Sequence, residues 1–202
     1  MPLSYYRSHD SCEVALWSIE EDIEFFRSAL LREQFPISKG EDINHPEQAI
    51  QWFASRFLLL QSHPAAIDFY INRKPHLYNG PKISFSHSGK TVGVLLSKHD
   101  SGLDIQYFDE KLKRIKPKFT TNKETGLIRT GSKIASLSLI WSVKEAIFKL
   151  YGTGVPFLSI NIVSYDPIRK IAIAKLERGK SMITHSVQAH FIGDMSLAYV
   201  LE

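Results

Sequence analysis

Asp104 and Gln106 stand two apart in the alternating stretch Gly102-Leu103-Asp104-Ile105-Gln106-Tyr107. In a strand, positions two apart share a face, so both side-chain oxygens can reach one metal ion. Leu103, Ile105 and Tyr107 then point the other way. Further along, Trp141-Ser142-Val143-Lys144-Glu145-Ala146-Ile147-Phe148-Lys149 sets Glu145 and Lys149 four apart, on one helix face. Trp141 lies one turn before Glu145, and Lys144 sits beside that face. The ordinary reading of such spacing is a buried tryptophan with a surface Glu–Lys pair. A third group is Ser84-Phe85-Ser86-His87-Ser88-Gly89. Hydroxyls, a ring N–H and backbone N–H groups beside a glycine can cradle a phosphate. Its ordinary reading is the polar end of an apolar strand face.

The elements that must position these residues follow from hydrophobic periodicity. Leu137, Ile140, Trp141, Ile147 and Phe148 recur at helical spacings, which predicts a helix over 135–151 stopped by Gly152. Ile83, Phe85 and His87 alternate with three serines. Gly89-Lys90 then turns the chain into a returning strand through Val92, Val94 and Leu96. Upstream, residues 13–17 read as a strand. Ser18 with Glu21 reads as a capping box opening a helix over 19–33, with Ile23, Phe26 and Leu30 inward. Residues 36–42 read as a loop. A helix over 44–61, with Pro46 in its first turn, buries Ile50, Phe53, Phe57 and Leu58. Arg56 falls off that stripe, beside Trp52 and Leu59. Residues 67–71 alternate as a strand leading to Arg73-Lys74-Pro75. After the tryptophan helix, residues 159–163, 171–174, 185–189 and 195–200 read as strands. Strand, glycine turn and apolar strand recur in 83–97 and 187–201, offset by 104 residues. Lys98-His99-Asp100-Ser101 reads as the joint between an N-terminal half, 1–98, and a C-terminal half, 99–202.

Composition narrows the class. The chain has 202 residues, 44% hydrophobic and 23% charged, ordinary values for a soluble globular protein. No apolar run approaches membrane-spanning length, and residues 1–7 are followed by no signal-peptide core. A single cysteine, Cys12, excludes an internal disulfide and suits a reducing compartment. The expectation is a cytoplasmic protein. The net charge of +4 is uneven: ten basic against twelve acidic residues in 1–100, fifteen against nine in 101–202. The run Lys111-Leu112-Lys113-Arg114-Ile115-Lys116-Pro117-Lys118 could steer an acidic partner or a polyphosphate. The ordinary fate of such a run is solvated surface. It carries no interleaved aromatics and no nucleic-acid-binding motif. One cysteine and no paired histidines at ligand spacing argue against zinc. No G-x-S-x-G elbow is present.

Together, Gly102 to Gln106 and Trp141 to Lys149 resemble the G-[IV]-D-[IL]-E strand and W-x-x-K-E-A-x-x-K helix of the 4'-phosphopantetheinyl transferases, in their larger, monomeric branch. The helix motif matches at every fixed position. Ser86-His87-Ser88 is similar to the family's S-H-S motif. Lys74-Pro75 matches part of its G-K-P segment, with Arg73 in place of the glycine. Ser55-Arg56-Phe57-Leu58-Leu59 is similar to its arginine before a leucine-rich helix end, although a solvated helix-surface arginine is the ordinary alternative. Phe119 to Glu124 resembles a further family segment, in which Glu124 reads as structural or solvated. The resemblance implies an α+β fold of two similar halves related by pseudo-twofold symmetry. It implies transfer of 4'-phosphopantetheine from coenzyme A to a serine of an acidic apo carrier protein, acyl or peptidyl, with Mg²⁺ and release of 3',5'-ADP. It further implies Asp104, Gln106 and Glu145 as metal ligands, and Glu145 and Lys149 as catalytic. Coenzyme A contacts fall on Arg56, Lys74, Ser86, His87, Lys144 and Lys149. Gln106 departs from the glutamate usual in the family, which makes it a neutral donor. The expected partners include neither nucleic acid nor membrane, and the expected state is monomeric. Two other functions are compatible with these residues: a non-catalytic coenzyme A or carrier-protein binding module, and a basic nucleic-acid-binding domain built on the Lys111–Lys118 run.

Overall fold

A computed structural model describes residues 3–9, 11–64, 66–128 and 131–202. Met1 and Pro2 of the N-terminal segment read above lie outside the described residues. The chain forms two compact units, Met1–His99 and Asp100–Glu202. Both mix helices with antiparallel sheet, so the fold is α+β.

In unit 1, β1 (Leu3–His9) and β2 (Cys12–Ser18) are followed by α1 (Ile23–Arg32), α2 (Ser38–Glu41) and α3 (Pro46–Ser62). The chain continues as β3 (Asp68–Ile71), β4 (Lys74–Leu77), β5 (Lys82–Ser88) and β6 (Thr91–Ser97). One sheet has the order β1-β2-β6-β5, and β3 pairs with β4 as a separate ribbon. The core joins Phe26 and Leu30 of α1, Phe53 and Leu58 of α3, and Ile83, Val92 and Val94 of the sheet.

Two local expectations change here, and one strand is added. The capping box does not form. Glu21 accepts from the Trp17 indole N–H at 3.2 Å and from the Glu20 N–H at 3.2 Å. Meanwhile the Ile19 N–H is tied to the Lys90 carbonyl at 2.7 Å, which keeps the chain extended past Ser18. The helix instead starts at Ile23, where Asp22 caps the Phe25 N–H at 2.9 Å. The segment 36–42 carries the short helix α2 rather than loop alone. Strand β1, whose face is largely exposed, carries no buried apolar alternation and so leaves no periodic signal in the sequence.

Unit 2 opens with β7 (Ser101–Tyr107), then α4 (Lys111–Ile115), a 3-10 turn over Lys116–Lys118, α5 (Asn122–Leu127) and α6 (Lys133–Tyr151). After a second 3-10 turn at Phe157–Ser159 come β8 (Ile160–Asp166), β9 (Ile171–Arg178), β10 (Ser181–Ile192) and β11 (Met195–Leu201). The sheet order is β7-β11-β10-β9-β8. Helix α6 lies across this sheet. It buries Leu139, Ile140, Val143 and Ile147 against Ala172, Val187 and Ala198. Gly152, at φ 83°, ends it and donates its N–H to the Phe148 carbonyl at 2.9 Å. On its flank, Phe157 stacks between Trp141 (5.1 Å between centroids) and Phe148 (5.8 Å), residues two helical turns apart.

Each unit closes with a hairpin whose turn holds a glycine at positive φ, Gly89 (50°) in unit 1 and Gly193 (58°) in unit 2. In each, the last strand lies between an earlier strand and its hairpin partner: β2-β6-β5 and β7-β11-β10. Among the described residues, no helix is long and apolar enough to cross a membrane.

Candidate active site

Helix α6 rides on β7 at Gly102. A Cβ at that position would stand 1.9 Å from the Ala146 carbonyl oxygen and 2.7 Å from the Leu150 nitrogen. Only bare backbone lets the helix approach this closely. Asp104 lies two residues on, so it shares the face of Gly102 and points at α6. Lys149 reaches down from the helix. Its ammonium donates to Asp104 Oδ1 at 2.9 Å and to the Leu103 carbonyl at 2.9 Å. Asp104 is buried, while the Lys149 side chain keeps about a quarter of its surface exposed, at 27%.

Glu145 completes the group, one turn before Lys149. Burial first, and then the nearby Asp104 carboxylate, push its carboxyl up from the usual 4.5 to about 7, against the opposing pull of Lys149. Two acids and one lysine from two elements therefore share a small, partly desolvated space. The Asp104 carboxylate disfavours a charge on Glu145, a condition that a cation relieves.

Lys144 turns elsewhere. It is 1% exposed, and its ammonium lies 2.8 Å from the Glu124 carboxylate and 3.3 Å from the Phe157 carbonyl. Burial pushes the lysine below its usual range, with Glu124 acting in opposition. Glu124 is equally buried, at 2%. Its carboxylate accepts from the Thr121 N–H and hydroxyl, the Thr120 hydroxyl and the Ile162 N–H, all within 2.9–3.1 Å. Burial works against its charge, but Lys144 and these donors prevail and hold it below the usual carboxylate range. Glu124 is therefore a structural hub, not a solvated side chain. It ties the capping box of α5 to β8 and to α6. Lys144, expected at the diphosphate, is the counter-charge of that hub.

Gln106 lies on the Asp104 face near the end of β7. Its side-chain amide donates to the Tyr107 carbonyl at 2.8 Å. Its backbone carbonyl accepts from the Ser138 hydroxyl at 2.8 Å and the Ser196 hydroxyl at 3.2 Å.

The remaining expected residues belong to unit 1. Arg56 is 3% exposed, not a solvated helix-surface arginine. It grips Asp68 through both carboxylate oxygens, at 3.3 and 2.7 Å, and donates to the Tyr70 hydroxyl at 2.9 Å and the Ser55 hydroxyl at 3.0 Å. Its guanidinium stacks over Trp52 at 4.7 Å and Phe85 at 4.3 Å. Asp68, the partner that makes this burial possible, was not singled out in the sequence. Ser86 is buried and His87 exposed, because neighbours on a strand point to opposite faces. The two side chains diverge instead of meeting at one point. Lys74 is half-buried on β4, opposite Ile71. The turn before it carries Asn72 (φ 51°) and Arg73 (φ 68°) in the left-handed region, a conformation that glycine adopts without strain. A cavity of about 430 Å³ in unit 1, between Tyr6, Trp17 and Leu58, is lined by none of the expected site residues.

Among the described residues, no group of three His, Cys, Asp or Glu side chains is placed to hold a metal. The Asp104–Glu145 pair presents carboxylate oxygens only, a donor set suited to a hard cation such as Mg²⁺. That ion takes one or two carboxylates and completes its shell with water and phosphate oxygens.

No curated protein matches the chain. The family model of the 4'-phosphopantetheinyl transferase superfamily matches residues 101–200, nearly the whole of unit 2 and all of the Asp104–Glu145–Lys149 cluster. Residues 101–200 are therefore a domain of the 4'-phosphopantetheinyl transferase superfamily.

Proposed function

We propose that this protein transfers 4'-phosphopantetheine from coenzyme A to a serine hydroxyl of an acidic apo carrier protein, with Mg²⁺, as a holo-carrier-protein synthase. The observation that carries the reading is the convergence of Asp104 and Glu145 from strand and helix, with Lys149 on the same cluster. The superfamily match over these residues supports phosphopantetheinyl transfer as the reaction class.

Bound Mg²⁺ would supply charge neutralisation at the diphosphate, which is the main requirement of phosphoryl transfer. Asp104 and Glu145 would hold it, with Gln106 as a third, neutral donor. Glu145, kept ionised by the cation, would receive the proton of the attacking serine, directly or through water. Lys149 would exchange part of its bond to Asp104 for the diphosphate oxygens, offsetting charge where it develops. Lys144 has a weaker claim to that role, since it would first have to abandon Glu124. In unit 1, Arg56, Lys74, Ser86 and His87 are proposed contacts of coenzyme A on the strength of the motif resemblance. His87 is exposed and Lys74 half-buried, whereas Arg56 and Ser86 would contribute from within the fold. The shared strand connectivity of the two units supports the reading of two similar halves.

The test is incubation with Mg²⁺, coenzyme A and a panel of apo carrier proteins, read by intact mass. An enzyme adds the phosphopantetheine mass to a carrier. A binding module holds coenzyme A and adds nothing. Asp104→Ala is expected to lose roughly a hundredfold or more in rate, as when one preorganised charge-stabilising group is removed. Full activity of that variant after magnesium depletion and replenishment would overturn the assignment.

A further inference from the structure

We propose that three buried serines, Ser138, Ser142 and Ser196, act with Gly102 as a register lock that sets Glu145 and Lys149 at their working height above Asp104. The inference rests on the reading of that cluster as a cation site.

Each serine is fully buried, and together they bridge three elements. Ser138 and Ser142 lie one turn apart on α6, and Ser196 lies on β11, opposite Gln106 of β7. The Ser142 and Ser196 hydroxyls are 2.8 Å apart, and those of Ser196 and Ser138 are 2.6 Å apart. Both Ser138 and Ser196 reach the Gln106 carbonyl. Three protons must be placed in this dry space. The Gln106 carbonyl can only accept, so the proton chain must end there. Among the described residues, Ser196 is the one hydroxyl within reach of Ser142. If Ser196 donated to Ser142, the Ser142 proton would have no acceptor. The consistent arrangement runs from Ser142 to Ser196, and on to Ser138 and the carbonyl. Hydrogen bonds in such a series polarise one another and strengthen the whole.

The placement gives the cluster a purpose beyond filling space. Gly102, Asp104 and Gln106 share one face of β7. At Gly102 the helix backbone rests on the strand, and at Gln106 the serines tie helix to strand. Asp104 lies midway between these two fixed points. On the helix, Glu145 falls between Ser142 and the Ala146 carbonyl that meets Gly102. Two attachments, one on each side, prevent α6 from sliding or tilting over the carboxylate. The aliphatic contacts of the helix resist separation and limit its position by shape alone, whereas the serine hydroxyls add directional bonds that tie it to one carbonyl.

The test compares Mn²⁺ binding, followed by electron paramagnetic resonance, in the full chain and in four variants. Ser196→Ala breaks every link through β11 and leaves the Ser142 hydroxyl without an acceptor. It is expected to weaken Mn²⁺ binding roughly tenfold or more, the usual effect of removing a group that orients a metal ligand. Ser138→Ala leaves the Ser196 bond to the carbonyl and should cost less. Ser142→Ala removes only the terminal donor and should cost least. Val143→Ala opens the same buried helix face without touching the serine chain, so it should lower stability and leave Mn²⁺ affinity unchanged. A crystal structure of Ser196→Ala should show the Lys149 Nζ to Asp104 Oδ1 distance lengthened from 2.9 Å. Unchanged affinity in Ser196→Ala, or an equal loss in Val143→Ala, overturns the inference. If the unaltered protein binds no Mn²⁺, the cation reading itself falls. The Lys149–Asp104 distance in the Ser196→Ala crystal then decides the positioning claim alone, with an unchanged distance against it.

Discussion

Lys144 and Lys149 sit five residues apart on one helix and meet opposite fates. Lys149 keeps part of its surface in solvent and shares Asp104 with the candidate site, whereas Lys144 is sealed against Glu124. Removing one partner of a buried ion pair strands the other charge, at a cost of about 3–5 kcal/mol. Lys144→Met should therefore lower unfolding stability by that order in urea titrations. Adding Glu124→Gln to it should recover much of the loss, because a neutral amide can remain beside the threonines. Gln106 provides a second residue-scale expectation. Its amide now donates to the Tyr107 carbonyl, a bond that a carboxylate cannot make. Gln106→Glu should turn its new charge toward Asp104 and tighten Mg²⁺ binding in a calorimetric titration, while transfer activity persists. Spacing along the sequence was enough to set Asp104, Glu145 and Lys149 on faces able to meet. It could not distinguish the fates of the two lysines. That depends on Glu124, some twenty residues upstream, and on an α5–β8 contact with no local signature.

At the scale of elements, helix α6 and the β5–β6 hairpin were legible because their periodicity and their glycine stops agree with burial. The β9–β10 hairpin runs further than its apolar residues suggest. Its outer half carries Lys175, Glu177, Arg178 and Thr184, which are held by strand pairing rather than by core packing. The start of α1 departs from the Ser18–Glu21 pattern because Glu21 serves the Trp17 indole rather than the helix terminus. The close approach of α6 to β7 was likewise hidden in a single glycine of a five-residue motif. Gly102→Ala should force helix and strand apart, since its Cβ meets backbone rather than a movable side chain. The expected loss is roughly 3 kcal/mol or more in stability. Transfer activity should fall with it when measured at a temperature where the variant stays folded.

For the whole molecule, the candidate site makes stability depend on pH and on metal. Glu145 titrates near 7 in the folded chain against about 4.5 when unfolded. The unfolded state therefore releases this proton first as pH rises. The magnesium-free protein should lose stability between about pH 4.5 and 7, by roughly 3 kcal/mol. Glu145→Gln should flatten that slope, and Mg²⁺ should reverse it by favouring the ionised form. His185 acts at the other limb. Burial beside the Tyr151 hydroxyl lowers its proton affinity, with Glu202 acting in opposition. Its stabilising contribution is present above about pH 6.5 and is lost as pH falls through its lowered folded value. Thermal melts across this range, with and without Mg²⁺, check both limbs.

The bare contact at Gly102 has one more consequence. Where main chain rests on main chain, atomic radii determine the gap, and no side chain there can be varied to adjust it. The aliphatic residues behind the helix are then free to exchange for others of similar bulk over evolutionary time. Distant cousins of this chain can accordingly differ almost everywhere in that interior and still hold their two acids the same distance apart, provided the glycine and the three buried serines stay.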